Sequence, residues 1–308
     1  MRAISTTPQG GVEIIEVADP QPTPHQVVIA ATAASIARGD LNTSRLRPPP
    51  SLLGLDVAGV VVRAAADGSG PAEGTRVLGY SAGNAPTWAQ RVALDTDLVA
   101  PVPDGLSDET AAALPNSGLA AFDGVAAGGF LLGARVLITG ATGGVGILAA
   151  QLALLAGAAS VTGQVSSPAR ASALPRLDGL TAATLDELQG PFDLIVDLIG
   201  GDVLTRALSL VAEGGTVASL SQTADETATV PRFWFATHPG ARLIGVDNRV
   251  ALRVPGVGTR HLTLLAQLAA SGQLDPMVST VAPWDQAGDL MAKMDRRELS
   301  GRAVIRIA

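Results

Sequence analysis

The fold of this chain is decided by a stretch that reads Val136-Leu137-Ile138-Thr139-Gly140-Ala141-Thr142-Gly143-Gly144-Val145-Gly146, followed by Ile147-Leu148-Ala149-Ala150-Gln151-Leu152-Ala153. β-favouring residues run into a glycine-rich turn, and an apolar segment without proline or charge follows the turn. This order predicts a strand, a turn and a helix, the context in which a glycine pattern carries meaning. The alternative of a glycine-rich turn that binds no ligand stays open.

The turn itself matches a dinucleotide-binding fingerprint. Counted from Ala141 it reads A-x-G-x-x-G, with alanine in the first position. Gly143 lets the backbone approach a pyrophosphate, and Gly146 lets the helix lie close to its strand. Free N–H groups at the start of a helix favour phosphate charge. We therefore predict that a nucleotide is bound by Ala141, Thr142, Gly143, Gly144, Val145 and Gly146.

Composition excludes several other classes of function. The 308 residues are 47% hydrophobic, with 35 glycines and 3% aromatic residues, which is typical of an α/β enzyme. A net charge of −7 argues against a nucleic-acid partner or an anionic membrane. Cysteine is absent, and the three histidines have no metal-ligand spacing, so we predict no disulfide and no metal.

No targeting or membrane-spanning segment is predicted. Residues 1–5 lead into polar sequence rather than a signal peptide. The longest apolar run, residues 145–159, is too short to cross a bilayer and contains Gln151. The expectation is a soluble, cytoplasmic protein.

The first hundred residues predict a β-rich domain. Short strands are expected at 12–17, 26–34, 55–64, 75–79, 87–94 and 98–102, with an irregular segment at 35–53. Close spacing of short strands indicates a partly open barrel or rolled sheet. Ser107 then marks the start of a helix expected to run to about Ala127.

From residue 134 onward, strands and helices alternate. Strands are expected at 134–139, 159–165, 192–199, 214–220 and 242–247, and helices at 143–157, 168–175 and 201–212. Alternation of this kind predicts a doubly wound parallel sheet with helices on both faces. Helices at 259–272 and 284–296 precede a last strand, residues 302–307, which has no βα partner and is expected to rejoin the N-terminal β region.

The end of the second strand favours NADPH over NADH. A carboxylate that would bind the ribose 2′-hydroxyl is missing there, and Ser166, Ser167 and Arg170 stand in its place. Serine hydroxyls and a guanidinium suit a 2′-phosphate. Alternatively, the serines cap a helix that begins at Pro168, and Arg170 is a solvated surface charge.

Two further sites have competing interpretations. Gly79-Tyr80-Ser81-Ala82-Gly83 is a G-x-S-x-G pattern, but residues 84–88 cannot begin a good helix, so a hydrolase nucleophile is disfavoured. Asp197, at the end of the strand segment 192–197, lies on the edge of the sheet where ligands bind, and it is equally well interpreted as a cap for the helix from Gly201.

Six segments in the same order resemble one known family. They are Gly54-Leu55-Asp56-Val57-Ala58-Gly59-Val60-Val61, Gly74-Thr75-Arg76-Val77-Leu78-Gly79, Trp88-Ala89-Gln90-Arg91-Val92, residues 111–121, residues 140–151 and Gly301-Arg302-Ala303-Val304-Ile305. The chain resembles the medium-chain dehydrogenase/reductases, in the zinc-independent quinone oxidoreductase branch that includes enoyl reductases. The likeness covers nearly the whole chain.

The resemblance implies an architecture and a reaction. Both chain ends, 1–115 and 252–308, would form a GroES-like catalytic domain around an inserted Rossmann domain, 116–251. NADPH would donate hydride to a quinone or to the β-carbon of an enone without a metal. A homodimer joined through cofactor-domain edges is also implied. We add Leu220 and Val246, at the ends of later strands, to the predicted cofactor contacts.

Departures from the family pattern concern the substrate side. Leu55 stands where the zinc branch has histidine, and Ala37 replaces the asparagine of an N-x-x-D motif that ends at Asp40. A threonine of the entry helix is replaced by Ala120, and the loop after Asp40 is short and lacks a tyrosine. The predicted catalytic residues are Asp40, Asn42 and Asn116. A pathway-specific tailoring reductase and a non-catalytic NADPH-binding protein remain alternatives.

Overall fold

Contacts divide the chain into two compact units. The computed structural model describes residues 1–83, 85–220, 227–299 and 301–308. Unit 1 comprises Met1–Leu119 and Arg249–Ala308, and unit 2 comprises Ala120–Asn248. The two ends of the chain therefore fold together, and the middle of the chain forms a unit of its own.

Strands of the described residues are numbered along the chain. They are β1 (Arg2–Thr6), β2 (Val12–Glu16), β3 (Gln26–Ile36), β4 (Asp56–Arg63), β5 (Arg76–Tyr80), β6 (Arg91–Asp95), β7 (Val99–Pro101), β8 (Arg135–Ile138), β9 (Ser160–Gln164), β10 (Leu180–Ala183), β11 (Phe192–Asp197), β12 (Val211–Ser219), β13 (Arg242–Gly245), β14 (Val278–Pro283) and β15 (Arg302–Arg306).

Helices are numbered in the same way. They are α1 (Arg38–Leu46), α2 (Asp108–Ala112), α3 (Pro115–Ala126), α4 (Gly144–Leu155), α5 (Gly201–Leu208), α6 (Trp234–Thr237), α7 (Asn248–Ala251), α8 (Val257–Ala270) and α9 (Ala287–Asp295). A search of the described residues finds no helix with the length and apolar character that a bilayer crossing requires.

Unit 1 is built on a sheet of seven strands. Its order is β14-β15-β3-β4-β5-β7, with β6 also paired to β3, and β1 and β2 form a separate antiparallel pair. The predicted return of the last strand to the N-terminal β region is confirmed, because β15 pairs antiparallel with β3. Trp88 is fully buried in the core of this unit and donates from Nε1 to the Ser35 carbonyl oxygen at 3.1 Å.

Two predictions in unit 1 are wrong. β15 does have a βα partner, because β14 runs parallel to it and α9 lies between the two strands in the chain. β14 was missed because its exposure alternates along a short segment that contains Ser279 and Thr280 and ends in Pro283. The segment 35–53, predicted to be irregular, contains α1, in which burial of two residues, Asp40 and Leu41, leaves a weak helical pattern.

Unit 2 is a parallel sheet in the order β10-β9-β8-β11-β12-β13. Counted from β8, this is the 3-2-1-4-5-6 order of a dinucleotide-binding sheet, whose switch point lies between its first and fourth strands. The predicted doubly wound sheet is confirmed, and so is the fold class as a whole. In this order the switch point falls between β8 and β11, so a ligand crevice is expected at their carboxyl ends.

Three element predictions in the middle of the chain need correction. The single helix predicted from Ser107 to about Ala127 is divided into α2 and α3, because Pro115 has no N–H to continue a helix and begins a new one. The helix predicted at 168–175 is a 3-10 helix, Pro168–Ala173. The edge strand β10 was not predicted, since it has four residues and two of them are exposed.

Candidate functional site

The glycine turn between β8 and α4 has the geometry of a phosphate-binding loop. Gly140 has a φ of +61°, a conformation that favours glycine, and its N–H donates to Gln164 Oε1 at 3.1 Å. The Gly143 N–H donates back to the Gly140 carbonyl oxygen at 3.0 Å, and α4 begins at the next residue. No side chain caps the start of α4, so its first N–H groups are available to an anion.

Gly143 and Gly146 are needed for different reasons. A Cβ on Gly146 would lie 2.5 Å from the Gly140 carbonyl oxygen and 2.7 Å from Ala141 Cα, so any side chain there would push the helix away from the turn. A Cβ on Gly143 would meet that same oxygen at 3.4 Å, an ordinary contact. Gly146 is therefore required by packing within unit 2, whereas Gly143 is exposed and leaves room for a ligand.

The predicted 2′-phosphate residues lie beside this turn. Arg170 donates from Nη2 to Thr142 Oγ1 at 3.2 Å, which links the end of β9 to the glycine turn. Ser167 precedes the 3-10 helix at Pro168 but makes no capping hydrogen bond with its side chain, so the capping alternative is wrong for it. Ser166 is exposed. Neither hydroxyl makes a hydrogen bond to another residue in the described part of the chain.

The remaining predicted cofactor residues lie at the carboxyl ends of β12 and β13. The Leu220 N–H donates to the Asp197 carbonyl oxygen at 2.8 Å, and the Val246 N–H donates to the Ser219 carbonyl oxygen at 2.9 Å. Carboxyl ends of parallel strands share one edge of the sheet, so both residues lie on the edge that carries the glycine turn.

Asp197 organises this edge of the sheet. Its carboxylate accepts hydrogen bonds from Thr139 Oγ1 at 2.9 Å, Ser219 Oγ at 3.1 Å and the Gly200 N–H at 3.2 Å. The side chain is fully buried and joins the ends of β8, β11 and β12. Its carboxylate therefore holds the turn that leads into α5, but no side chain caps the first turn of that helix, so Asp197 is not its cap.

In unit 1, the predicted catalytic residue Asp40 is buried in the first turn of α1. Its Oδ2 accepts the Ala37 N–H at 2.7 Å, and its side chain is 1% exposed. Burial raises the pKa of Asp40 to about 7, and the nearby carboxylate of Asp56 adds to the rise. Asp40 is thus a helix-capping residue that holds a proton close to neutral pH.

Asp56 and Arg302 form a buried ion pair that the sequence analysis did not identify. Arg302 Nη2 donates to Asp56 Oδ2 at 2.9 Å, and Ser35 Oγ donates to the same oxygen at 2.5 Å. Arg302 also donates to Ser35 Oγ. Arg302 Nε has no hydrogen-bond partner among the described residues. The available signal was a charged residue at the start of each of two largely apolar segments, which lie 246 residues apart in the chain.

Asn116 lies on the other side of the same carboxylate. Its N–H, in the first turn of α3, donates to Asp56 Oδ1 at 2.7 Å. Asp56 therefore ties α3 to β4, while its charge acts on Asp40. Asn42 lies on α1 two residues after Asp40 and is partly exposed. The structure brings Asp40 and Asn116 around one buried group, and both side chains belong to unit 1.

Asp40→Asn is expected to change how stability depends on pH. The pKa of Asp40 in the folded protein, about 7, lies above the ordinary value of 3.8. The protonated carboxyl therefore stabilises the folded state fully below pH 3.8, and this stabilisation is lost as the pH rises through about 7. The variant has no such loss, and its stability relative to the original chain is expected to rise between these pH values by about 4 kcal/mol at most.

Urea unfolding across this pH range measures the difference. Asp104→Asn, at an exposed carboxyl of unit 1, is the control and is expected to leave the pH profile unchanged. Parallel profiles for Asp40→Asn and the original chain would show that Asp40 does not hold its proton to neutral pH.

Two other candidate sites receive no support from the geometry. Ser81 is 1% exposed, and its Oγ accepts the Gly83 N–H at 3.2 Å. Among the described residues, the next element along the chain is a strand, β6, and not a helix. The nucleophile pattern is therefore a buried turn. Within the described ranges, no group of three or more histidine, aspartate or glutamate side chains is placed to hold a metal ion.

Comparisons with known proteins agree with this architecture. A family model described as "Alcohol dehydrogenase GroES-like domain" matches residues 23–104, and one described as "Zinc-binding dehydrogenase" matches residues 176–305. The chain is 30% identical to 2-methylene-furan-3-one reductase of Solanum lycopersicum, over 99% of this chain and 79% of that protein.

A longer relative and a solved structure extend the comparison. The chain is 32% identical to the spectinabilin polyketide synthase system protein NorB of Streptomyces orinoci, over 85% of this chain and 12% of NorB. The structure of the quinone oxidoreductase from Coxiella burnetii matches with a TM-score of 0.85 at 23% identity, covering 100% of this chain and 99% of that one. At that identity the likeness concerns the fold.

Proposed function

Because the chain belongs to the medium-chain dehydrogenase/reductases, in their zinc-independent quinone oxidoreductase and enoyl reductase branch, we propose that it is an NADPH-dependent reductase of quinones or α,β-unsaturated carbonyl compounds. Family membership makes it a nicotinamide-dependent oxidoreductase with a small-molecule substrate. The choice of NADPH and of the acceptor is the proposal.

One observation carries the choice of cofactor. Arg170 lies beside Thr142 of the glycine turn, next to two serine hydroxyls, and no acidic residue stands at the end of β9. A guanidinium and hydroxyl donors suit the 2′-phosphate that distinguishes NADPH from NADH. The uncapped start of α4 suits the pyrophosphate that both cofactors share.

Residues of unit 1 are proposed to bind the substrate and to supply a proton to it. The bound cofactor would supply a hydride, and the protein must then stabilise charge that develops on the carbonyl oxygen. Asn42 and Asn116 carry side-chain amides that can donate to such an oxygen. After hydride transfer the substrate must take up a proton. Asp40, which holds a proton near neutral pH, can supply that proton to the substrate through a neighbouring group. Exclusion of water and orientation of the substrate complete the contribution of the chain.

Consumption of NADPH with a panel of neutral enones and quinones tests the proposal. Steady oxidation of NADPH that depends on the acceptor is the expected result. Normal cofactor binding without oxidation by any acceptor would favour a non-catalytic NADPH-binding protein instead. Poor turnover of the simple panel with good turnover of one elaborate enone would favour a pathway-specific tailoring reductase, a candidate supported by the similarity to NorB.

Arg170→Ala is expected to weaken NADPH binding without a matching effect on NADH. Loss of a charge-assisted contact to phosphate costs about 1.5–3 kcal/mol, so the dissociation constant for NADPH should rise at least tenfold. Fluorescence titration with each cofactor measures the change. Arg176→Ala, at an exposed arginine of the same unit, is the control and is expected to bind both as before. Equal losses for both cofactors would contradict the assignment.

We also propose the roles of the two units and a homodimer. Residues 1–115 and 252–308 are assigned as the catalytic domain, and 116–251 as the NADPH-binding domain.

β13 is the last strand in the sheet of unit 2, and Leu243 on it is 42% exposed. Phe233 and Phe235, just before it in the chain, are also largely exposed. Apolar side chains exposed at a sheet edge favour self-association, so a homodimer is proposed. Sedimentation velocity at micromolar concentration is expected to show the dimer, and a monomer would contradict the proposal.

A further inference from the structure

One face of α1 carries polar residues that the proposed function does not fully use. Arg38, Asn42 and Arg45 are spaced by four and then three residues, so they lie along one face of the helix. Asp40 lies on the opposite face and Leu41 at the boundary between the two faces, and both are buried. Two guanidinium groups therefore stand on the same side of the helix whose first turn contains a predicted catalytic residue.

A third arginine joins this face from the end of α9. Arg45 Nη2 pairs with Asp295 Oδ1 at 2.7 Å, which ties α1 to the last residue of α9. Arg297 follows two residues later, in a left-handed conformation with a φ of +58°. These three arginines and Asp295 are named here the arginine cluster, and they concentrate positive charge in a chain whose net charge is −7.

Arg38 is the member of the cluster that has no anion to pair with. Its side chain is half-buried, and the described residues offer it no hydrogen bond and no ion pair. Burial lowers its pKa, and the positive charges of Arg297 and Arg45 lower it further, opposed by Asp295. A half-buried guanidinium beside two like charges is costly unless an anion compensates it.

Resting on the reductase function proposed above, we propose that Arg38, with Arg45 and Arg297, binds an oxyanion group of the substrate. Guanidinium groups recognise carboxylate and phosphate alike through paired N–H donors. The substrate is therefore an unsaturated carbonyl compound that bears an anionic group. That group is either a carboxylate of the compound itself or the phosphate of a phosphopantetheine thioester that carries it.

Matched pairs of acceptors test this inference and separate the two sources. Acetylacrylate and its neutral methyl ester differ by one carboxylate, and crotonyl-phosphopantetheine and crotonyl-pantetheine differ by one phosphate. The original chain is expected to prefer the anionic member of one pair. Arg38→Gln is expected to lower the kcat/KM ratio of anionic to neutral acceptor at least tenfold, mainly through KM, because a charge-assisted contact is lost. Arg38→Lys is expected to recover part of the ratio.

Arg47→Gln is the matched control, since Arg47 is an exposed arginine at the end of the same helix. Its ratio is expected to stay within about twofold of the original, because exposed charges contribute little. An unchanged ratio in Arg38→Gln, or no preference for either anionic acceptor, would overturn the inference while leaving the reductase function standing.

A binding measurement keeps the test independent of turnover. Acetylacrylate and phosphopantetheine are titrated by calorimetry into the original chain and Arg38→Gln. Binding that Arg38→Gln loses supports the anion site even if no acceptor is reduced, in which case only the reductase proposal fails. Equal binding by both proteins refutes the anion site.

Discussion

Arg302→Met is expected to lower the free energy of unfolding by about 3–5 kcal/mol, the cost of leaving one member of a buried ion pair without its partner. Asp56 would keep the hydrogen bonds from Ser35 and from the Asn116 N–H but lose the positive charge that balances it. Without that charge, burial would raise the pKa of Asp56 further. The penalty should therefore be larger at pH 8 than at pH 5, where the carboxyl can take up a proton.

Chemical unfolding of the variant at both pH values measures the effect. Arg306→Gln is the control on the same strand, because Arg306 is largely exposed and Glu109, its ion-pair partner, is partly exposed. Exposed pairs contribute about 0–1 kcal/mol, so the control should unfold close to the original chain. Similar small losses for Arg302→Met and Arg306→Gln would show that the buried pair does not stabilise unit 1.

Gly146→Ala is expected to damage both the stability of unit 2 and cofactor binding. The added methyl would lie 2.5 Å from a backbone oxygen that cannot move alone, so the turn and α4 must separate. Overpacking of this kind costs about 1–3 kcal/mol. Because the helix start is displaced from the turn, the affinity for NADPH is also expected to fall at least tenfold.

Gly143→Ala separates the two effects. A methyl there meets only an ordinary contact at 3.4 Å, so the thermal midpoint is expected to stay close to that of the original chain. The same methyl would occupy space proposed for the pyrophosphate, and NADPH affinity should fall. If Gly143→Ala binds NADPH as well as the original chain, the exposed face of this turn is not the phosphate site.

Unit 2 could be predicted from the sequence in most of its elements because its signals are local. The glycine turn, the alternation of strands with helices and the missing acid after β9 all lie within short windows. Elements with a weak local pattern were missed, such as β10, which has four residues and lies at the edge of the sheet. The 3-10 helix at Pro168 was predicted as an α-helix, because a proline start does not distinguish the two.

Unit 1 depends on contacts between distant residues, and less of it could be predicted. Asp56 and Arg302 are 246 residues apart, and nothing near either residue indicates that they meet. Asp40 was predicted as a catalytic residue from a motif, whereas its capping bond to the Ala37 N–H depends on where α1 begins. The catalytic roles of Asp40, Asn42 and Asn116 remain predictions, because they depend on a substrate.

The place of β15 in the sheet of unit 1 has a consequence for biosynthesis. β15 lies between β14 and β3 and is joined to β3 by antiparallel pairs such as Ala303 with Ile36. During translation β3 emerges early, but its partner emerges only after all of unit 2 has been made. Unit 2 can therefore fold on the ribosome while the last residues of β3, Ala33 to Ile36, wait for their partner strand. We expect nascent chains released before β15 to expose the edge of these residues, making it the point at which this protein is most prone to misassociation.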